Sequence, residues 1–107
     1  MIKKTVICCD RIRTPAGSFG FIEHRFLREG FLESLTHQEL IFYLFLVLVA
    51  DRCGLSYYSY EKICHILKLD LKDYVRARDG LIAKDLIAFD GRQFQVLSLP
   101  RKPDVTK

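Results

Sequence analysis

The sequence is short of the residues that break or unfold a chain, with three prolines and six glycines in 107 positions. Together with 50% hydrophobic and 28% charged residues, that scarcity excludes disorder as the main description. Long apolar runs are missing too. The longest, Leu40–Ala50, has eleven residues, against the ~18 that a membrane span requires. The basic start, Met1 to Asp10, carries too short an apolar stretch for a signal peptide. The expectation is a cytoplasmic protein with no membrane association. Its length suits one domain, large enough to bury a core without metal or disulfide staples.

Catalytic constellations are also absent. His24, His37 and His65 are the only histidines, and none has a Ser, a Cys or paired carboxylates at motif spacing. Neither G-x-x-x-x-G-K-[ST] nor G-x-G-x-x-G occurs. An enzyme is therefore not expected, and no cofactor is implied. Cys8, Cys9, Cys53 and Cys64 form no C-x-x-C pair. Adjacent Cys8 and Cys9 would point apart on a strand, and helical neighbours such as Cys64 and His65 diverge by about 100°. No metal site is expected, and the cysteines read as reduced thiols.

Charge is scarce in the middle. Residues 1–35 hold six basic and four acidic side chains, and the tail 100–107 holds three against one. Everything between is balanced, so the net +4 sits at the two ends. Phosphate contacts need Lys or Arg at the contact surface. Basic ends can equally serve solubility alone.

Three regions are expected: an N-terminal extension over 1–34, a compact domain over 35–99 and a basic flexible tail over 100–107. Pro15-Ala16-Gly17-Ser18 is the clearest early break. Lys4 to Cys9 before it has the character of a short strand. After it, Phe19, Phe21, Ile22, Phe26, Leu27, Phe31 and Leu32 make an aromatic-rich segment, with a short helix around Glu23–Glu29 stopped by Gly30.

Thr36-His37-Gln38-Glu39 is a capping box. The apolar run behind it predicts a helix that is hydrophobic on all sides and so needs cover on all sides. The aromatic segment and a second copy of the chain are both expected to supply it. Leu55 to Tyr58 is extended in character. Ser59 and Asp70 then cap two helices, to about Leu67 and about Lys84, separated by the turn Lys68-Leu69. Asp90-Gly91 between the β-prone runs Leu86–Phe89 and Gln93–Leu99 signals a two-residue hairpin. Helix, short strand, helix, turn, helix, hairpin is the order of a winged helix-turn-helix. The fold class is α+β, mainly α, with a three-helix core and a β-hairpin wing.

Leu35-Thr36-x-x-Glu39-Leu40, the apolar helix, Ser59-Tyr60-Glu61-Lys62-Ile63-Cys64 and Leu81-Ile82-Ala83-Lys84-Asp85-Leu86-Ile87 resemble the winged helix at the front of phage and plasmid replication initiators, the replisome organisers. The likeness covers about residues 31–99 and is shared in part with transcriptional regulators. It implies DNA binding, with the third helix in the major groove and the hairpin on the backbone or minor groove, and often a dimer. The sequence departs from that pattern at Asp70 and Asp73, where Ser, Thr and basic residues are usual. It departs again at Arg78, normally apolar, and at Asp85, commonly Gly.

On the third helix, Leu71, Tyr74, Val75, Leu81 and Ile82 form the predicted core stripe. Arg78 falls inside it, which predicts snorkelling or a pair with Asp51 or Glu61. The predicted outward face centres on Arg76, flanked by Lys72, Gly80 and Ala83. Arg92 follows the hairpin turn directly. The candidate DNA contacts are Lys72, Arg76 and Arg92, with Lys3, Lys4, Arg101 and Lys102 from the basic ends. Tyr57 and Tyr58 fit stacking or phosphate contact as well as core packing. The function expected is binding of double-stranded DNA by a homodimer, in replication initiation or transcriptional control of a mobile element. The alternatives are a winged-helix adaptor with a protein partner and a purely structural dimer.

Overall fold

The computed structural model describes residues 3–14 and 17–103. Pro15 and Ala16 of the expected break, and residues 104–107 of the expected tail, lie outside the described residues.

The capping box forms as expected. Thr36 Oγ1 accepts from the Glu39 N–H at 3.1 Å, and Glu39 Oε1 accepts from the Thr36 N–H at 2.9 Å. Two of the orphan amides at the start of a helix are thereby satisfied. We number the helices from a preceding single turn, α1 (Arg25–Arg28), so the capped helix is α2 (His37–Val49). Ala50 leaves it in an extended conformation, and the chain turns into β1 (Leu55–Ser56). Ser59 and Asp70 accept from the backbone N–H three residues on and start α3 (Tyr60–Leu67) and α4 (Leu71–Ala83). Between them Lys68 adopts φ +57°, and the Leu69 N–H donates to the Cys64 carbonyl at 3.0 Å. That left-handed residue makes the tight turn between α3 and α4. Asp85 does the same after α4, at φ +62°.

Strands β2 (Ile87–Phe89) and β3 (Phe94–Val96) complete a three-stranded antiparallel sheet in the order β1-β3-β2. Its register pairs Phe89 with Phe94 and Ser56 with Phe94 on the other side. This is the α+β winged helix-turn-helix expected of the pattern.

The core lies where α2, α4 and the sheet meet. Phe42 on α2 is fully buried, stacked 5.4 Å from Tyr74 of α4 and edge-on at 5.6 Å to Phe94 of β3. Leu46, Ile63, Leu81 and Leu86 close around it. Each such side chain removed from water stabilises the fold by about 1.5–3 kcal/mol. On another side of α2, Tyr43 stacks on Phe26 of α1 at 5.0 Å, and Phe26 lies 6.2 Å from Phe31. The aromatic segment thus covers α2 on that flank. Gly20 brings it against the last turn of α2, where an added Cβ would stand 2.6 Å from the Val47 carbonyl oxygen.

Several expectations are corrected. No strand forms over Lys4–Cys9; a single 3-10 turn, Cys9–Arg11, stands there instead. The hairpin connection has four residues, 90 to 93, because the Asp90 carboxylate folds the turn by accepting from the N–H groups of Arg92 and Gln93 at 2.9 and 2.8 Å. The aromatic segment covers one flank of the apolar helix, and within the single chain another face stays open. Ile41, Leu44 and Leu48, which share one face at helical spacing, are 42%, 41% and 74% exposed. The segment before and within α1 packs on the Val47 and Tyr43 flank instead.

Candidate nucleic-acid interface

Helix α4 is accessible along one side, but that side is not the one the apolar pattern predicts. Tyr74, Ala77 and Leu81 are its buried residues, while Leu71 and Ile82 are exposed. The helix is rotated so that its outward face centres near Lys72 and Asp79 rather than on Arg76. The cause is Glu39. Its side chain is nearly buried, and its carboxylate occupies the space where a Cβ on Gly80 would stand. Gly80 therefore faces α2, and the surface it admits is that helix, not an external one. Lys84 reaches the same carboxylate, Nζ to Oε1 2.6 Å, and donates to the Ser34 carbonyl at 2.7 Å.

Lys72 and Arg76 are both exposed on α4. They share that face with Asp79, and Asp73 stands in the first turn. Arg78 is drawn out of the expected core stripe. Its Nε lies 3.1 Å from Asp79 Oδ1, and its guanidinium sits over the rings of Tyr74 and Phe89 at 5.6 and 5.3 Å. Its partners are thus Asp79 and two rings, and neither Asp51 nor Glu61. Burial pushes the Tyr74 hydroxyl above its ordinary pKa, with Arg78 opposing.

Arg92 is exposed on the wing and folds back, its guanidinium 5.6 Å above the ring of Tyr57. Asp90 beside it is held below the usual carboxylate range by the Gln93 and Arg92 N–H groups. Arg92, Tyr57 and Arg78 line a cleft of about 410 Å³ between the wing, the β1–α3 loop and α4.

The remaining candidates do not join them. Arg101 and Lys102 are exposed beyond the far end of β3 from the wing tip. There Arg25 Nη2 donates to the Pro100 carbonyl at 2.7 Å and to the Arg101 carbonyl at 3.3 Å, tying this stretch to α1. Lys3 and Lys4 are exposed in the irregular stretch before the first 3-10 turn, and no hydrogen bond or ion pair holds either among the described residues. The two readings of the tyrosine pair divide between its members: Tyr58 packs edge-on to Phe45 at 5.2 Å, while Tyr57 stays exposed at the cleft with Tyr60, which the sequence reading passed over. The alternation of adjacent residues on extended chain was the available signal.

Among the described residues no group of three His, Cys, Asp or Glu side chains could hold a metal ion. No helix among them is long and apolar enough to cross a membrane.

A family model for a helix-turn-helix domain matches residues 32–87, just over half of the chain. The chain belongs to this helix-turn-helix domain family. The match runs from the approach to α2 through α3 and α4 to the first residue of β2. Within the helix-turn-helix, α3 and α4 are the paired helices and Lys68 sits at their turn. The hairpin that follows adds the wing. No curated protein and no solved structure matched the chain.

Proposed function

We propose that the chain binds double-stranded DNA as a homodimer and takes part in replication initiation or transcriptional control. The observation that carries this reading is the exposure of Lys72 and Arg76 on an α4 rod with the wing arginine Arg92 beside it. A helix of this width enters the major groove, where Lys and Arg meet guanine edges and phosphates. Arg92 on the wing suits the adjacent backbone. Arg101, Lys102, Lys3 and Lys4 add phosphate contacts from the two ends. The exposed Ile41, Leu44 and Leu48 face of α2 supports the dimer, because a bare apolar stripe of this kind is better buried than hydrated. The role in replication or transcription rests on the likeness to replication initiators over residues 31–99. The protein acts in the cytoplasm and catalyses no reaction.

The second reading is a protein adaptor, favoured by Leu71, which is 55% exposed on the same helix. One experiment separates the two. Binding to random and genomic duplexes is titrated with salt while the oligomer mass is measured. A DNA-binding protein loses affinity steeply with salt and loses it altogether in Arg76→Glu/Arg92→Glu. An adaptor retains no duplex even at low salt.

A further inference from the structure

The cleft between wing and α4 differs in character from the face that would enter a groove. That face mixes Lys72 and Arg76 with Asp79. The cleft is lined by Tyr57, Tyr60, Tyr74, Phe89, Arg78 and Arg92 among others, and none of its lining residues is acidic. Asp79 touches Arg78 from outside it.

Its parts are arranged for a flat, electron-rich ring. Tyr57 is 69% exposed and belongs to no core contact, whereas its neighbour Tyr58 packs inward. Over Tyr57 lies the Arg92 guanidinium, 5.6 Å from the ring centroid, a little wider than direct stacking. The Arg92 side chain is exposed and held by no hydrogen bond or ion pair among the described residues, so it can lift off Tyr57 by side-chain rotation while Asp90 keeps its backbone N–H. At the other wall Tyr60 tilts against the buried Tyr74, and Arg78 covers Tyr74 and Phe89. Unpaired bases stack on tyrosine rings and on guanidinium planes while cations follow the backbone, and a phosphate beside Arg78 would compete with its ion pair to Asp79. A base inside an intact duplex cannot reach such a cleft.

We infer that this cleft takes an unpaired nucleobase of single-stranded DNA, stacked between Tyr57 and Arg92, with Arg78 facing the neighbouring phosphate. This differs from groove binding by Lys72 and Arg76: it shares Arg92 with the duplex reading, and Tyr57 belongs to it alone. It gives the domain a preference for DNA that is partly open over DNA that is fully paired.

The test uses fluorescence anisotropy with the full chain and three labelled probes: a blunt duplex, the same duplex with a thymidine 3′ extension, and a short thymidine oligomer. Wild-type protein is expected to bind the extended duplex more tightly than the blunt one. Tyr57→Ala should weaken binding to the extended duplex and to the oligomer about tenfold, leave the blunt duplex unchanged, and be rescued by Tyr57→Phe. Circular dichroism of Tyr57→Ala confirms an intact fold, as the exposed side chain supports no core. Equal affinity for blunt and extended probes overturns the inference. So does a Tyr57→Ala effect that is equal on both, or absent. Retained oligomer binding with no blunt-duplex binding would instead refute the duplex reading and leave this one standing.

Discussion

Lys84 at the end of α4 lies with its Nζ 2.6 Å from Oε1 of Glu39 in the first turn of α2. The side chains are 14% and 8% exposed, so the pair is largely withdrawn from water. It locks the helix proposed to read DNA against the helix that organises the core. Removing one member leaves the other charge buried and alone, which costs about 3–5 kcal/mol. Lys84→Met is expected to unfold at a much lower urea concentration than wild type. Lys84→Met/Glu39→Met, with both charges gone, should recover most of that loss. An unchanged midpoint for the single variant would show that the pair contributes nothing.

Gly80 gives a prediction opposite in sign to ordinary helix propensity. Alanine in place of a mid-helix glycine usually stabilises by about 1 kcal/mol. Here the new Cβ would collide with the Glu39 carboxylate. Gly80→Ala should instead destabilise by about 1–3 kcal/mol. In a Glu39→Ala background the same substitution should turn stabilising, as measured by the urea midpoint.

Glu39 marks where sequence reasoning works and where it stops. Thr36 and Glu39 are three positions apart, so their capping box is legible from local spacing alone. Ser59, Asp70 and the Asp90-Gly91 bend are legible for the same reason. The second task of Glu39, holding Lys84 and filling the space above Gly80, joins residues that only the fold brings together. With these contacts α4 sits with Leu71 and Ile82 exposed and Ala77 buried. An apolar stripe at helical spacing therefore misplaces the outward face, although it finds Lys72 and Arg76. The cleft was illegible in kind. Tyr57 precedes α3 and Arg92 follows α4, and their stacking depends on how far the wing leans back.

Acid should weaken the fold through its turns. Asp51 is held below the usual carboxylate range by the Leu55 and Cys53 N–H groups, and Asp90 by those of Gln93 and Arg92. A carboxylate with a lower pKa folded than unfolded stabilises at pH values above the unfolded pKa, near 3.9. That contribution disappears as pH falls through the lower, folded value. Stability should hold from neutrality to about pH 5 and fall progressively below it. Asp51→Ala/Asp90→Ala should be less stable at neutral pH and show a shallower fall in acid, seen as urea midpoints across the pH series.

The exposed face of α2 predicts the oligomeric state. Leu44 and Leu48 lie one helical turn apart on that face and pack against nothing in the core. Leu44→Glu/Leu48→Glu places two charges where a dimer would bury them. Sedimentation of wild type should give twice the chain mass, and the variant should sediment as a monomer with unchanged helix content. A wild-type monomer at micromolar concentration would remove the dimer from the proposal.

The electrostatics of α4 set the strength of duplex binding. Each phosphate neutralised by the protein contributes about 0.9 to the slope of log affinity against log salt. Lys72→Ala and Arg76→Ala should each weaken binding and flatten that slope by about one such contribution if each meets a phosphate. Asp79 works against them, standing on the outward face one turn from Arg76, with Arg78 its one ion-pair partner among the described residues. Asp79→Asn removes that negative charge from the face that meets phosphate and releases Arg78 from its ion pair. It should therefore tighten binding to duplex DNA and steepen the salt dependence, without altering thermal stability by more than an exposed ion pair contributes. Weaker binding in this variant would mean that α4 does not face phosphate.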